Sequence, residues 1–223
     1  MENSQNFQTE KNFSPLMSKL ILAWRNEKLT SNLLPYETEI IDNTILEIEK
    51  KEKELKNSSI DKDYKYFINL DISRIKFLIK DYIRIRLQKI EKYQLNIIYE
   101  KQVDILNSNE MKYCVDLLHY KANYINQNLK NLSALVNNFK IFEDKTKKID
   151  FQISKINENM LIKPNEKEYV IIENISNENL IYNIRDIYEN YEGEMPTMSK
   201  EERYLLPIGL VKKDVESNKA KII

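Results

Sequence analysis

Apolar residues recur at helical spacing through the first 130 positions, and the pattern changes sharply after residue 164. Residues 1–14 carry no such period and read as a flexible arm. Ser14-Pro15 supplies an N-cap and an N1 proline, so a first helix is expected over 16–27, with Leu16, Leu20, Ala23 and Trp24 on one side. Leu33-Leu34-Pro35-Tyr36 breaks it. A second helix follows with Ile41, Ile45, Ile48 and Leu55 inward, and ends near Asn57. The charged run at 47–56 reads as its solvated face. A third helix is expected from about 62 to 105, and a fourth from Asn107 or Ser108, where Glu110 stands three after Asn107 as in a capping box. Residues 132–148 show a weaker helical pattern that ends in Lys145, Lys147 and Lys148, and 151–163 is irregular.

Beyond Pro164-Asn165 the signals are those of a small sheet. Residues 168–173 form a short apolar run, the mark of a buried strand. A turn at 176–179 and a second run at 180–184 suggest that the two pair as a hairpin. An acidic loop is expected over 186–202, a strand over 203–206, a short helix over 210–216 and a closing strand over 220–223. The fold class is therefore α+β, mostly α: an arm (1–14), a helical domain (15–148), a linker (149–164) and a small β-rich domain (165–223).

One stretch departs from ordinary patterning. In residues 74–92, RIKFLIKDYIRIRLQKIEK, the residues Ile75, Leu78, Ile79, Tyr82, Ile83 and Ile90, with Tyr93 beyond, gather on one helical face. Arg86 falls in the middle of it, while Lys76, Lys80 and Arg84 line another side. A charge inside an apolar stripe is costly unless it is paired. Arg86 thus calls for an acidic or carbonyl partner, in this chain or another; the other possibility is that it snorkels to water. Trp24, the only tryptophan, is expected to anchor a core.

Composition narrows the function. The 223 residues hold 35 Lys+Arg against 35 Asp+Glu, a formal net charge of zero, which argues against a chain held on nucleic acid by its overall field. Two glycines and five prolines suit a mostly helical chain. A single cysteine, Cys114, rules out an intrachain disulfide and fits a reducing compartment. The first residues lack a signal-peptide core, and no apolar run approaches the ~20 residues of a membrane span. His119 and Cys114 share a helix, but there is no second His or Cys to complete a metal site or a nucleophile–base pair. No glycine-rich phosphate loop or CxxC is present. The residues alone point to a helical, non-catalytic assembly component without cofactor or metal. Two alternatives stand beside it. One is a nucleic-acid binder using Lys76, Lys80, Arg84, Lys89 and Lys92; the other is a coiled-coil tether, although Arg86 interrupts its heptads.

Several stretches together resemble one family. Leu22-Ala23-Trp24-Arg25-Asn26-Glu27-Lys28 followed by Leu33-Leu34-Pro35-Tyr36 is similar to the AWxNE…LLPY opening of the Sld-five subunit family of the GINS complex. Residues 74–78 and 82–92 look like its RIKFL…YLRxRLxKIEK helix. Ser108-Asn109-Glu110 resembles its fourth-helix start, Lys163-Pro164 with 169–172 the opening of its C-terminal domain, and 204–223 its closing strand–helix–strand. The match runs through most of the chain from about Leu20. It implies a helical A domain and a β-rich B domain in a non-catalytic subunit. Three other GINS subunits would be its partners in the nucleus, along with the MCM ring and its partner activator. The whole would be the eukaryotic replicative CMG helicase, whose motor is the MCM ring; DNA contact by this chain would be indirect or weak. It also implies subunit-contact or packing roles for Tyr82, Arg84, Arg86, Leu87, Lys89, Ile90 and Glu91. In the C-terminal domain Tyr169, Ile171 and Tyr204 are further candidates, and the apolar Ile222 and Ile223 are expected to be buried together in an edge strand docked in the sheet. Trp24 and Leu34 would lock the first helices onto the central rod. The chain departs from the family in three places. Ser31-Asn32 stands where Pro-Glu is frequent, Asn218 where glycine is common, and the short arm lacks the acidic-apolar peptide that recruits a replisome hub in some members.

Overall fold

The structure is a computed structural model that describes residues 15–57, 62–100, 102–128, 139–143, 149–153, 161–187 and 195–223. Four helices come first: α1 (Pro15–Leu29), α2 (Thr38–Asn57), α3 (Lys62–Tyr99) and α4 (Ser108–Asn128). At 1.5 Å per residue, the 38 residues of α3 span about 57 Å. The helix ends at Tyr99, short of the expected 105, and a 3-10 turn (Gln102–Ile105) follows. Strands β1 (Phe139–Glu143) and β2 (Ile149–Ile153) pair antiparallel. Then come β3 (Tyr169–Asn174), β4 (Leu180–Ile181), β5 (Thr197–Met198), β6 (Arg203–Pro207), α5 (Ile208–Glu216) and β7 (Ala220–Ile222).

The chain groups into two compact units, Met1–Trp24 with Glu37–Lys80, and Arg25–Tyr36 with Asp81–Ile223. In the first, Ile41, Ile48 and Leu55 are buried at intervals of seven along α2, two helical turns each. Met17, Leu20, Ala23 and Ile72 are buried in the same unit. Ile45, expected inward, is exposed. Trp24 is half-buried. The charged face of α2 is solvated as expected, with Lys51 bonded to Glu47 at 3.1 Å and Glu52 to Lys76 of α3 at 2.7 Å.

In the second unit, α3 and α4 share a core of Ile90, Tyr93, Ile97, Ile98, Cys114 and Leu118, closed by Leu33 from the α1–α2 connection. The C-terminal sheet has the order β6-β3-β7, antiparallel throughout, and α5 covers its inner face with Val211 and Val215. Ile172, Met198, Leu206, Ile208 and Ile222 complete that core, and Leu34 enters it from outside the module.

Two sequence expectations are corrected here. The expected β3–β4 hairpin does not form: β3 pairs with β6 and β7, while β4 pairs with β5. Asn174 is the physical reason. Its buried side chain donates to the carbonyls of Glu178 and Met198 and accepts from Ser176, so the chain turns away instead of reversing onto β3. The other correction concerns 139–153, where a weak helix and an irregular linker were expected. Ile149, Phe151 and Ile153 alternate with Asp150 and Gln152, a period of two that the apparent helical period upstream had masked. The basic run 145–148 lies outside the described residues.

Candidate functional site

Arg86 is completely buried, and so are both carboxylates that face it: Glu27 near the end of α1 is 1% exposed and Glu110 in the first turn of α4 is 3%. The guanidinium has five N–H donors, and all five are used. Nε donates to Glu110 Oε1 at 2.8 Å, and Nη2 to Glu110 Oε2 and the Ile105 carbonyl, each at 3.0 Å. Nη1 donates to Glu27 Oε2 at 3.0 Å and to the Leu34 carbonyl at 2.5 Å. The rings of Tyr36 and Tyr82 lie 5.2 and 5.6 Å from the guanidinium carbon, within cation–π range.

Lys89, one turn further along α3, is saturated in the same way. Its ammonium donates to Glu27 Oε1 at 2.6 Å, to the Glu27 carbonyl at 2.5 Å and to the Asn32 carbonyl at 2.8 Å. Two cations thus meet two carboxylates, and the cluster is neutral. Burial works against the Arg86 charge, but the Glu110 hydrogen bond, reinforced by Tyr82 and Glu27, outweighs it and raises the pKa above the ordinary arginine value. For Lys89 burial wins over Glu27, and the pKa is lowered. The paired ions can hold three helices and a connection in one geometry, the work for which a buried, fully bonded charge set is suited.

Local sequence explains the positioning. Asn107 Oδ1 accepts from the Glu110 N–H at 2.7 Å, and Glu110 Oε2 accepts from the Asn107 N–H at 3.2 Å, which is the expected capping box. The carboxylate that closes the cap is therefore the one presented to Arg86. The side chain of Leu34 packs in the C-terminal sheet's core, while its carbonyl accepts from Arg86 of the central helix.

The remaining expected residues divide by exposure. Tyr82 and Ile90 are buried and Leu87 is partly buried, all as packing residues. Arg84 is exposed and bonded to Asp81 at 2.5 Å, and Glu91 is exposed; neither joins the cluster. Ile222 is buried at 1%, whereas Ile223 is 40% exposed, so the closing strand contributes one core isoleucine and not two. Tyr169 and Ile171 are exposed and Tyr204 is half-buried. Sequence reasoning passed over Glu27 and Asn26. Glu27 reads as a surface acid in a last helical turn, and Asn26, 3% exposed, accepts the Ile222 N–H at 3.0 Å through Oδ1. Cys114 is buried, and burial pushes its thiol up to about 11. Among the described residues no group of His, Cys, Asp and Glu converges as a metal site, and no helix is long and apolar enough to cross a membrane.

No family model matches the chain. Curated relatives do. A DNA replication complex GINS protein SLD5 from Dictyostelium discoideum is 32% identical over 125 residues, covering 52% of this chain and 59% of that protein. The Arabidopsis thaliana protein of the same description is 25% identical over 213 residues, 90% of this chain and 88% of its own length. Over most of its length, then, the chain is similar to SLD5 proteins. The human SLD5 protein adds 24% identity over 172 residues, 70% of this chain and 77% of that protein. The two arginines of the RxR motif of α3 divide the labour. Arg84 is exposed and pairs with the buried Asp81, and Arg86 ties α1, α3 and α4 to the α1–α2 connection.

Proposed function

We propose that this chain is the SLD5 subunit of a four-subunit GINS complex and has a structural, non-catalytic role in DNA replication. The observation that carries the reading is the relationship to SLD5 proteins of GINS replication complexes, which extends over 213 residues in the Arabidopsis case. Its partners would be the three other GINS subunits and, through them, the MCM ring and its partner activator in the replicative helicase of the nucleus. Direct DNA binding is a minor part of this reading, because Lys76 and Arg84 of the basic face are engaged by Glu52 and Asp81.

The surface most suited to a subunit contact in the C-terminal module is the outer face of its sheet. Leu205 lies opposite Ile171, whose carbonyl accepts the Ile223 N–H, so an apolar row crosses all three strands. Tyr169 extends it, and all four side chains are exposed. One register step away, Arg203 and Lys221 both pair with Glu173. An exposed apolar row beside charges is the composition expected of a contact surface. The test is co-expression with the three partner subunits and capture on a tag carried by this chain. Recovery of all three, with loss on Leu205→Glu, is the expected result. Capture of this chain alone would overturn the reading, and full recovery with Leu205→Glu would remove the sheet face from it.

A further inference from the structure

Two pairs of neighbouring residues in the second unit each point in opposite directions. Near the end of α1, Glu27 reaches Arg86 and Lys89, while Asn26 accepts the N–H of Ile222 in β7. In the connection that follows, Leu33 packs into the α3–α4 core and Leu34 into the core of the C-terminal sheet. The backbone between them is pinned: the Asn32 carbonyl takes Lys89, the Leu34 carbonyl takes Arg86, and the Tyr36 N–H donates to the Ile105 carbonyl. The residues that seat the C-terminal sheet are therefore positioned by the same segment that the ion cluster holds.

The register at β7 makes the contact specific. The Ile223 N–H donates inward to Ile171, so the Ile222 N–H faces the strand's free side. An unpaired edge N–H away from water is costly. Asn26 supplies the acceptor that a further strand would otherwise provide, at a site where donor and acceptor residues are 1% and 3% exposed.

We propose that residues 26–36 act as a coupling element, through which the Arg86–Glu27–Lys89–Glu110 cluster sets the seating of the C-terminal sheet and the seated sheet in turn stabilises the cluster. The mechanism is geometric. Removing a cation leaves buried carboxylates uncompensated, and the segment relaxes to solvate them. It cannot do so while keeping Asn26 on Ile222 and Leu34 in the sheet's core. Coupling between equilibria is reciprocal, so disturbing the seat must loosen the cluster by the same factor. Any ligand or partner that moves 26–36 would then change the pose of the module, and with it the surface the module presents.

The experiment is hydrogen exchange by NMR on the full chain, with wild type, Asn26→Ala, Lys89→Met and the double variant. Asn26→Ala removes no bond to Arg86, yet it is expected to speed exchange of the Arg86 Nε–H by at least about fivefold, the lower bound of ordinary allosteric coupling. Lys89→Met is expected to speed exchange at Ile223 by a similar factor, while the amides of α2 stay unchanged. In the double variant the two effects should combine to less than their product. Unchanged Arg86 Nε–H exchange in Asn26→Ala would overturn the proposal. That arm leaves the cluster's own side chains intact, so it decides the matter even if Lys89→Met does not fold.

Discussion

At the scale of single residues, Arg86 shows how far a sequence anomaly can be followed. A cation in an apolar stripe announced a buried partner, and that much was legible. The partners were not. Glu27 and Glu110 lie 59 and 24 residues away, and each has an ordinary local explanation, a last-turn acid and a capping-box carboxylate. Only the crossing of three helices makes them one site. Arg86→Met should cost about 3–5 kcal/mol, because both carboxylates lose a buried partner, and Arg86→Glu should cost more because a third carboxylate then joins them. Urea denaturation of the full chain measures both; a loss under about 1 kcal/mol for Arg86→Met would contradict the saturated geometry. Glu173 gives a pH counterpart. Hydrogen bonds from Lys221 and Arg203 hold its carboxyl below the usual glutamate range. A carboxyl lowered in the folded state adds stability above its unfolded pKa, and that stability is lost as pH falls through the lowered value. Melting followed from about pH 6 down to pH 3, a range that brackets ordinary carboxyl titration, should show an acid-side loss that Glu173→Gln diminishes. Identical profiles would remove the pairs' energetic role. Asn218 is a smaller case: it sits at φ 56°, a left-handed conformation that asparagine tolerates better than most residues.

At the scale of elements, what could be read depended on how far each element relies on its neighbours. The first four helices and α5 follow from periodicity and caps because helical bonds are local. Strands 169–174, 203–207 and 220–222 were visible as apolar runs, but their pairing was not, since the order β6-β3-β7 depends on turns built around Asn174. The pair β1–β2 was missed because a five-residue strand offers too few positions to separate a period of two from one of 3.6. The closing strand carries a sharp prediction. Ile222 is buried against β3 and donates to Asn26, whereas Ile223 stands on the outer face. Ile222→Ala should destabilise the chain by about 2–5 kcal/mol as a cavity-forming change. Ile223→Ala should stay within about 0.5 kcal/mol, the usual range for surface sites. Equal losses in thermal denaturation would mean that the register of β7 is wrong.

For the molecule as a whole, composition and periodicity read as a helical body with a detachable module after Pro164. The contacts qualify the detachment. Leu34 and Asn26 belong to the N-terminal part of the sequence yet pack with the C-terminal sheet. Ending the chain at Pro164 should therefore keep the helical circular dichroism signal but lower the melting temperature. Exposure of Leu34 alone removes roughly 1.5–3 kcal/mol of burial. An unchanged melt would show that the module contributes nothing to the rest. If this fold serves as an assembly subunit, it must enter a complex of fixed composition. The most direct measurement is native mass spectrometry of the full chain co-expressed with the three other GINS subunits. The expected result is one species with a single copy of each of the four chains, and a weaker assembly when Arg86 is changed to Glu. A mass lacking this chain, with this 26.8 kDa protein appearing only alone, would contradict it.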